Sequence, residues 1–109
     1  MTSSYSVRIV GPGRAGGAIA SALADAGWNV VAPIRRGESL AHAAEGVDLL
    51  LIATPDGAIA EIANAITPVP TTVIAHLSGA VGLDVLAVHS LHAAIHPHIA
   101  RNLDGQAQI

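Results

Sequence analysis

The 109-residue chain is 51% hydrophobic and 12% charged, with a formal net charge of -3, the composition of one globular domain or of a part of a larger protein. Its five cations are all arginines scattered along the chain, which excludes the basic footprint of a binder of nucleic acid or of an anionic membrane. Cysteine is absent, so disulfides and thiolate metal sites are excluded. The opening MTSSYSVRIV lacks the pattern of a signal peptide, and no apolar run approaches the roughly 18 residues of a membrane span; a cytoplasmic location is expected.

In chain order, residues 6–10 read as a strand. The segment VGPGRAGG (10–17) then places four glycines ahead of a helix expected over 14–26. Ile19, Ala22, Leu23 and Ala26 recur there at helical spacing, and Gly27 caps the end. A second strand is expected over 28–32 and a short helix over 38–45, capped by Ser39 or a neighbour. Residues 47–53, VDLLLIA, form a nearly unbroken apolar run, as in a parallel strand covered on both faces. Thr54-Pro55-Asp56 opens the next helix, with Thr54 as cap, Pro55 at the first position and Asp56 favourable to the dipole. Ala58, Ile59, Ile62, Ala63 and Ile66 supply its buried face, and Thr67-Pro68 ends it. A strand over 72–77, a short helix over 82–88 and a last strand over 91–95, running into His96-Pro97, complete the pattern. The alternation predicts an α/β fold, a doubly wound parallel sheet, over residues 1–98. Residues 99–109 form a polar tail without a convincing element, so the chain is expected to be a truncated piece of a longer protein.

Gly11, Gly13 and Gly16 make the spacing G-x-G-x-x-G between a strand and a helix, with Pro12, Arg14 and Ala15 completing the loop. In a dinucleotide-binding loop the first glycine permits the tight turn, the second admits the pyrophosphate, and the third lets helix and strand pack closely. The helix N-terminus offers free N–H groups and a positive dipole end to phosphate. The alternative is a glycine-rich turn that serves helix packing alone. About 20 residues further on, an NAD-binding domain presents a carboxylate to the ribose, whereas this chain reads Ala32-Pro33-Ile34-Arg35-Arg36 with no carboxylate before Glu38. Arg35 and Arg36 suit the paired, charge-assisted hydrogen bonds of a 2'-phosphate, so NADP(H) is expected over NAD(H). Two solvated arginines in a surface loop are the alternative.

GPGRAGG, ATPDGAI after the third apolar run, HLSGAVGLDVLA and IHPH occur in that order and span the chain to about His98. Together they resemble the N-terminal domain of the Rossmann-like oxidoreductases of unknown substrate related to ketopantoate reductase, pyrroline-5-carboxylate reductase and prephenate dehydrogenase. The resemblance implies an NADP-binding domain followed by a helical C-terminal domain, absent here, which forms a homodimer and completes the site for a small-molecule substrate. By position it places Thr54 and Pro55 along the cofactor, Ser78-Gly79 near the nicotinamide, and His96-Pro97 at the substrate side. The chain departs from that pattern twice. The stretch before Val47 is too short for a full helix and a further strand, so the usual outer strand is expected to be missing, and His98 stands where relatives carry an apolar residue.

Four of the six histidines, His89, His92, His96 and His98, lie close in sequence, but their spacing fits no closed zinc pattern and only Asp84 and Asp104 accompany them; no metal site is expected. His42 falls in the short polar helix and is expected to be solvated. His76 is the penultimate residue of its predicted strand, at the carboxyl edge where ligands bind in open α/β sheets, and is expected to face an open cleft with Ser78 and His96 as the catalytic set. A satisfied structural histidine is the alternative. The expected function is hydride transfer between NADP(H) and a small carbonyl or imine substrate, with this chain alone binding nucleotide without turnover. A non-catalytic nucleotide-binding regulatory module of the same fold is the alternative.

Overall fold

The apolar alternation of Ser6–Val10 produces an interior strand, β1, in a computed structural model that describes residues 5–11, 13–78 and 81–94. Val7 and Ile9 join one apolar layer and Val10 the other, because successive side chains of a strand point to opposite faces. Helix α1 (Arg14–Asp25) leads to β2 (Asn29–Val30); β3 (Leu49–Ile52), α2 (Ile59–Ala65), β4 (Val73–His76) and β5 (Leu91–Ala94) follow, with 3-10 helices at Asp56–Ala58 and Leu83–Leu86. The five strands are all parallel, in the order β2-β1-β3-β4-β5. From β1 the chain winds first to one side and then to the other, so the strand order reverses between β1 and β3. The result is an α/β fold with an all-parallel sheet flanked by helices.

All four residues of β3 are buried, as a strand covered on both faces requires. Leu50 and Ile52 share a cluster with Ile59 and Ala63 of α2 and with Leu86, while Leu49 and Leu51 share the other with Ile19 and Leu23 of α1. Just ahead of β4, the buried Thr72 hydroxyl lies 2.9 Å from the Ala44 carbonyl and 2.8 Å from that of Val47. Its one proton serves two main-chain acceptors. Thr72→Val keeps the shape and removes that donor, so a loss of about 1–2 kcal/mol is expected, read as a melting temperature lower by roughly 5–10 °C. An unchanged melting temperature would show that water takes over both carbonyls.

Four expectations are corrected by the structure. Residues 38–45 form successive turns, not a helix: Ala43 N–H donates to Leu40 O and Glu45 N–H to His42 O, each three residues back. Nearby carbonyls are taken by distant groups instead, Ala43 O by the Arg8 guanidinium at 2.7 Å and Ala44 O by Thr72. The second strand is only Asn29–Val30, with Ile34 adding a single bridge to Val10. Thr54 does not cap a helix; Pro55 precedes a 3-10 helix, and α2 begins at Ile59. The helix expected over 82–88 is the 3-10 helix Leu83–Leu86, too short to need an apolar stripe. Among the described residues the sheet has no strand beyond β2, because the turns of 35–46 occupy the stretch that an outer strand needs. No helix among the described residues is long and apolar enough to cross a membrane.

Candidate functional site

The carboxyl ends of β1 and β3 lie side by side at the point where the strand order reverses, the position at which open α/β sheets leave a crevice for ligands. β1 runs out at Val10 into Gly11, whose φ is +81°, a backbone conformation that glycine alone adopts without strain. A Cβ on Gly11 would stand 2.7 Å from Cγ2 of Thr54 and 3.2 Å from the Ala53 carbonyl oxygen. The turn is thus pressed against the segment that leaves β3. Gly16, buried in the first turn of α1, is equally confined: its Cβ would stand 2.6 Å from the Gly11 carbonyl oxygen.

Gly13 differs from both. It is the N-cap of α1 with an ordinary φ of -61° and makes no side-chain cap. A Cβ there would meet nothing within 4 Å. No described protein contact requires glycine at this position, and the residue is exposed. The first turn of α1 carries no acidic residue and no capping side chain, so its N–H groups and positive dipole end are offered outward. Arg14, exposed at that same end, is unfavourable to the dipole and favourable to an anion.

Thr54 stands beside this loop with its Oγ1 buried and without a partner among the described residues. Such a hydroxyl costs about 1–3 kcal/mol, and a buried orphaned polar atom calls for a specific partner such as a water, an ion or a ligand group; His89 Nδ1 is a second such atom among the described residues. An open N-cap glycine, an uncapped helix N-terminus and an orphaned hydroxyl are groups that could hold an anionic ligand.

No protein-family model matches the chain, and no curated protein matches it.

The two arginines lie beside the glycine loop. Gly11 N–H donates to Ile34 O at 3.0 Å and Ile34 N–H to Ile9 O at 2.9 Å, which ties the start of the arginine turn to the end of β1. Residues 35–38 then form a turn closed by Glu38 N–H donating to Arg35 O, with Gly37 at φ +86° in the third position, where a type II turn needs a positive φ. The turn folds Glu38 back, and its Oε1 accepts the Arg35 main-chain N–H at 2.6 Å. Glu38 is the residue that counting along the chain misses: three residues late in sequence, its carboxylate returns to the end of the second strand's segment. The signal was present in Arg36-Gly37, since glycine in that place reverses the chain.

At the end of β4, next to β3, the structure changes the expectation for His76. Its ring is fully buried and does not face an open cleft. Nδ1 accepts the Ser78 N–H at 3.1 Å and Nε2 lies 3.3 Å from Gly82 O, so both nitrogens are engaged by main chain. Ser78 is half-buried, and its hydroxyl oxygen accepts Val81 N–H at 3.0 Å. His76 pairs in register with Ile52, so Ser78 leaves the same sheet edge one strand away from Thr54. Pro12 and His96 lie outside the described residues. Of the other histidines, His42 is exposed and 2.6 Å from the Glu45 carboxylate, whereas His89 is buried with Nε2 2.9 Å from Ala63 O.

Proposed function

We propose that this chain is the NADP(H)-binding part of an oxidoreductase acting on a small carbonyl or imine substrate. The observation that carries the reading is Gly13: at the uncapped start of α1, at the reversal of strand order, glycine stands where no described contact demands it. Main-chain N–H groups from Gly13 into the first turn of α1 would hold the pyrophosphate. Arg14 adds positive charge, and Thr54 and Pro55 border the loop from the end of β3. Arg35 and Arg36 would hold the 2'-phosphate, and Ser78, one strand further, would lie toward the nicotinamide end. When bound, the nicotinamide supplies or accepts the hydride. The chain's own contribution is to bind and orient it, and the substrate side, where His96 belongs in this reading, would be completed by the homodimer's further domain.

Glu38 supports a second cofactor reading. A carboxylate at the end of the second strand's segment suits the hydroxyls of an unphosphorylated ribose, which would favour NAD(H). One experiment separates the two. Replacing Arg35 and Arg36 together with serine is expected to weaken NADPH about 10- to 100-fold, the scale of one to two charge-assisted hydrogen bonds, and to leave NADH within about twofold, both measured by fluorescence titration. Equal losses for the two nucleotides, or tighter NADH than NADPH in the unaltered protein, would reverse the assignment in favour of Glu38.

A further inference from the structure

The feature with most left to explain is the buried His76, whose two ring nitrogens both meet main-chain atoms on the loop side of β4. An amide N–H is only a donor, so the contact from Ser78 N–H at 3.1 Å requires a bare Nδ1. The remaining ring proton is then on Nε2, which donates to Gly82 O at 3.3 Å. A ring with no exposed surface and this tautomer has no proton to exchange with a substrate. It does have a defined mechanical effect, because it grips the chain on both sides of Val81, the residue whose N–H is itself held by the Ser78 hydroxyl oxygen.

We propose that His76 is a positioning residue of the nucleotide site, fixing Ser78 at the sheet edge next to Thr54 through its Nδ1 and Gly82 through its Nε2–H. The inference rests on the NADP(H) reading above. Register places His76 opposite Ile52 of β3, and Ala53 and Thr54 follow Ile52 directly, so the residue that anchors Ser78 is level with the strand end whose Thr54 borders the glycine loop. Strand spacing of about 4.8 Å keeps the two ends adjacent. The ring thereby sets the distance between the Ser78 main chain and the end of β3 without touching ligand.

Three variants and one spectrum test it. His76→Asn retains an acceptor near the Nδ1 position, His76→Gln retains a donor near the Nε2 position, and His76→Leu retains neither. NADPH affinity is expected to fall about tenfold in His76→Leu, the scale of one or two lost hydrogen bonds, and to be largely restored by Asn but not by Gln. Amide exchange of Ser78 is expected to accelerate in Leu and Gln and to remain slow in Asn. A folded His76→Leu protein with unaltered NADPH affinity and unaltered Ser78 exchange would overturn the proposal, as would equal behaviour of Asn and Gln. Nitrogen-15 spectra of the unsubstituted protein decide the matter even if the variants do not fold, because a protonated Nδ1 would remove the contact to Ser78. An unsubstituted protein that binds no NADPH would overturn the proposed function, whereas the Ser78 exchange pattern would still support or refute the clamp.

Discussion

Gly13→Val is expected to abolish NADPH binding while leaving the chain folded. The protein itself leaves room for the side chain, since a Cβ at this position meets nothing within 4 Å and the backbone φ of -61° suits any residue. The folding cost is that of a poorer N-cap, about 1 kcal/mol, or a melting temperature lower by a few degrees. The branched side chain would occupy the space in front of the first-turn N–H groups of α1, where phosphate oxygens would lie. A loss of more than about 100-fold in NADPH affinity, read by titration against a protein shown by circular dichroism to be folded, is the expected outcome. A folded Gly13→Val protein that retains NADPH affinity would remove the phosphate-loop reading altogether.

The same substitution three residues along is expected to have the opposite signature. At Gly16 the new Cβ would be 2.6 Å from the Gly11 carbonyl oxygen, 3.2 Å from Cγ2 of Ile9 and 3.3 Å from the Ala53 Cβ. The nearest of these is main chain and cannot rotate away, so α1 has to lift from β1. Replacing a helical glycine gains about 0.5 kcal/mol in propensity, which is smaller than the 1–3 kcal/mol of overpacking and is opposed further by the γ-methyl groups of valine. Gly16→Val should therefore lose about 3 kcal/mol, a fall of at least ~10 °C in melting temperature, with Gly16→Ala showing a smaller loss. Thermal denaturation checks both. A melting temperature for Gly16→Val equal to that of Gly13→Val would mean that the close contact between α1 and β1 does not contribute.

These two glycines also show what one chain of residues carries without its fold. That Gly11, Gly13 and Gly16 lie between a strand and a helix, that Leu49–Ile52 is a doubly covered strand, and that Ile19 and Leu23 face the sheet were all legible, because each depends on neighbours within a turn of helix or along one strand. The spacing also gave the turn to Gly11, the open position to Gly13 and the close packing to Gly16, in line with the space that the structure leaves at each; which atoms do the confining was not legible. Only the return of the chain from β3 brings Ala53 and Thr54 against Gly11 and Gly16.

The same limit explains the other corrections. Residues 38–45 contain good helix formers, yet Arg8 on β1, 35 positions away, binds the Ala43 carbonyl, and Thr72, 28 positions away, binds that of Ala44. Local propensity differs by well under 1 kcal/mol per residue, so partners of this kind override it. Glu38 looked too late for the ribose because distance was counted along the chain, and the left-handed Gly37 brings it back. His76 read as an exposed edge residue because the end of a strand is open until the following loop is placed; Ser78 and Gly82 then take both of its nitrogens. The sequence by itself determined which segments become strands and which loop carries the glycines, since those depend on side-chain period and backbone freedom. The tertiary structure decided which polar groups meet, because a hydrogen bond depends on separation in space and the chain's local pattern holds no record of its distant partners.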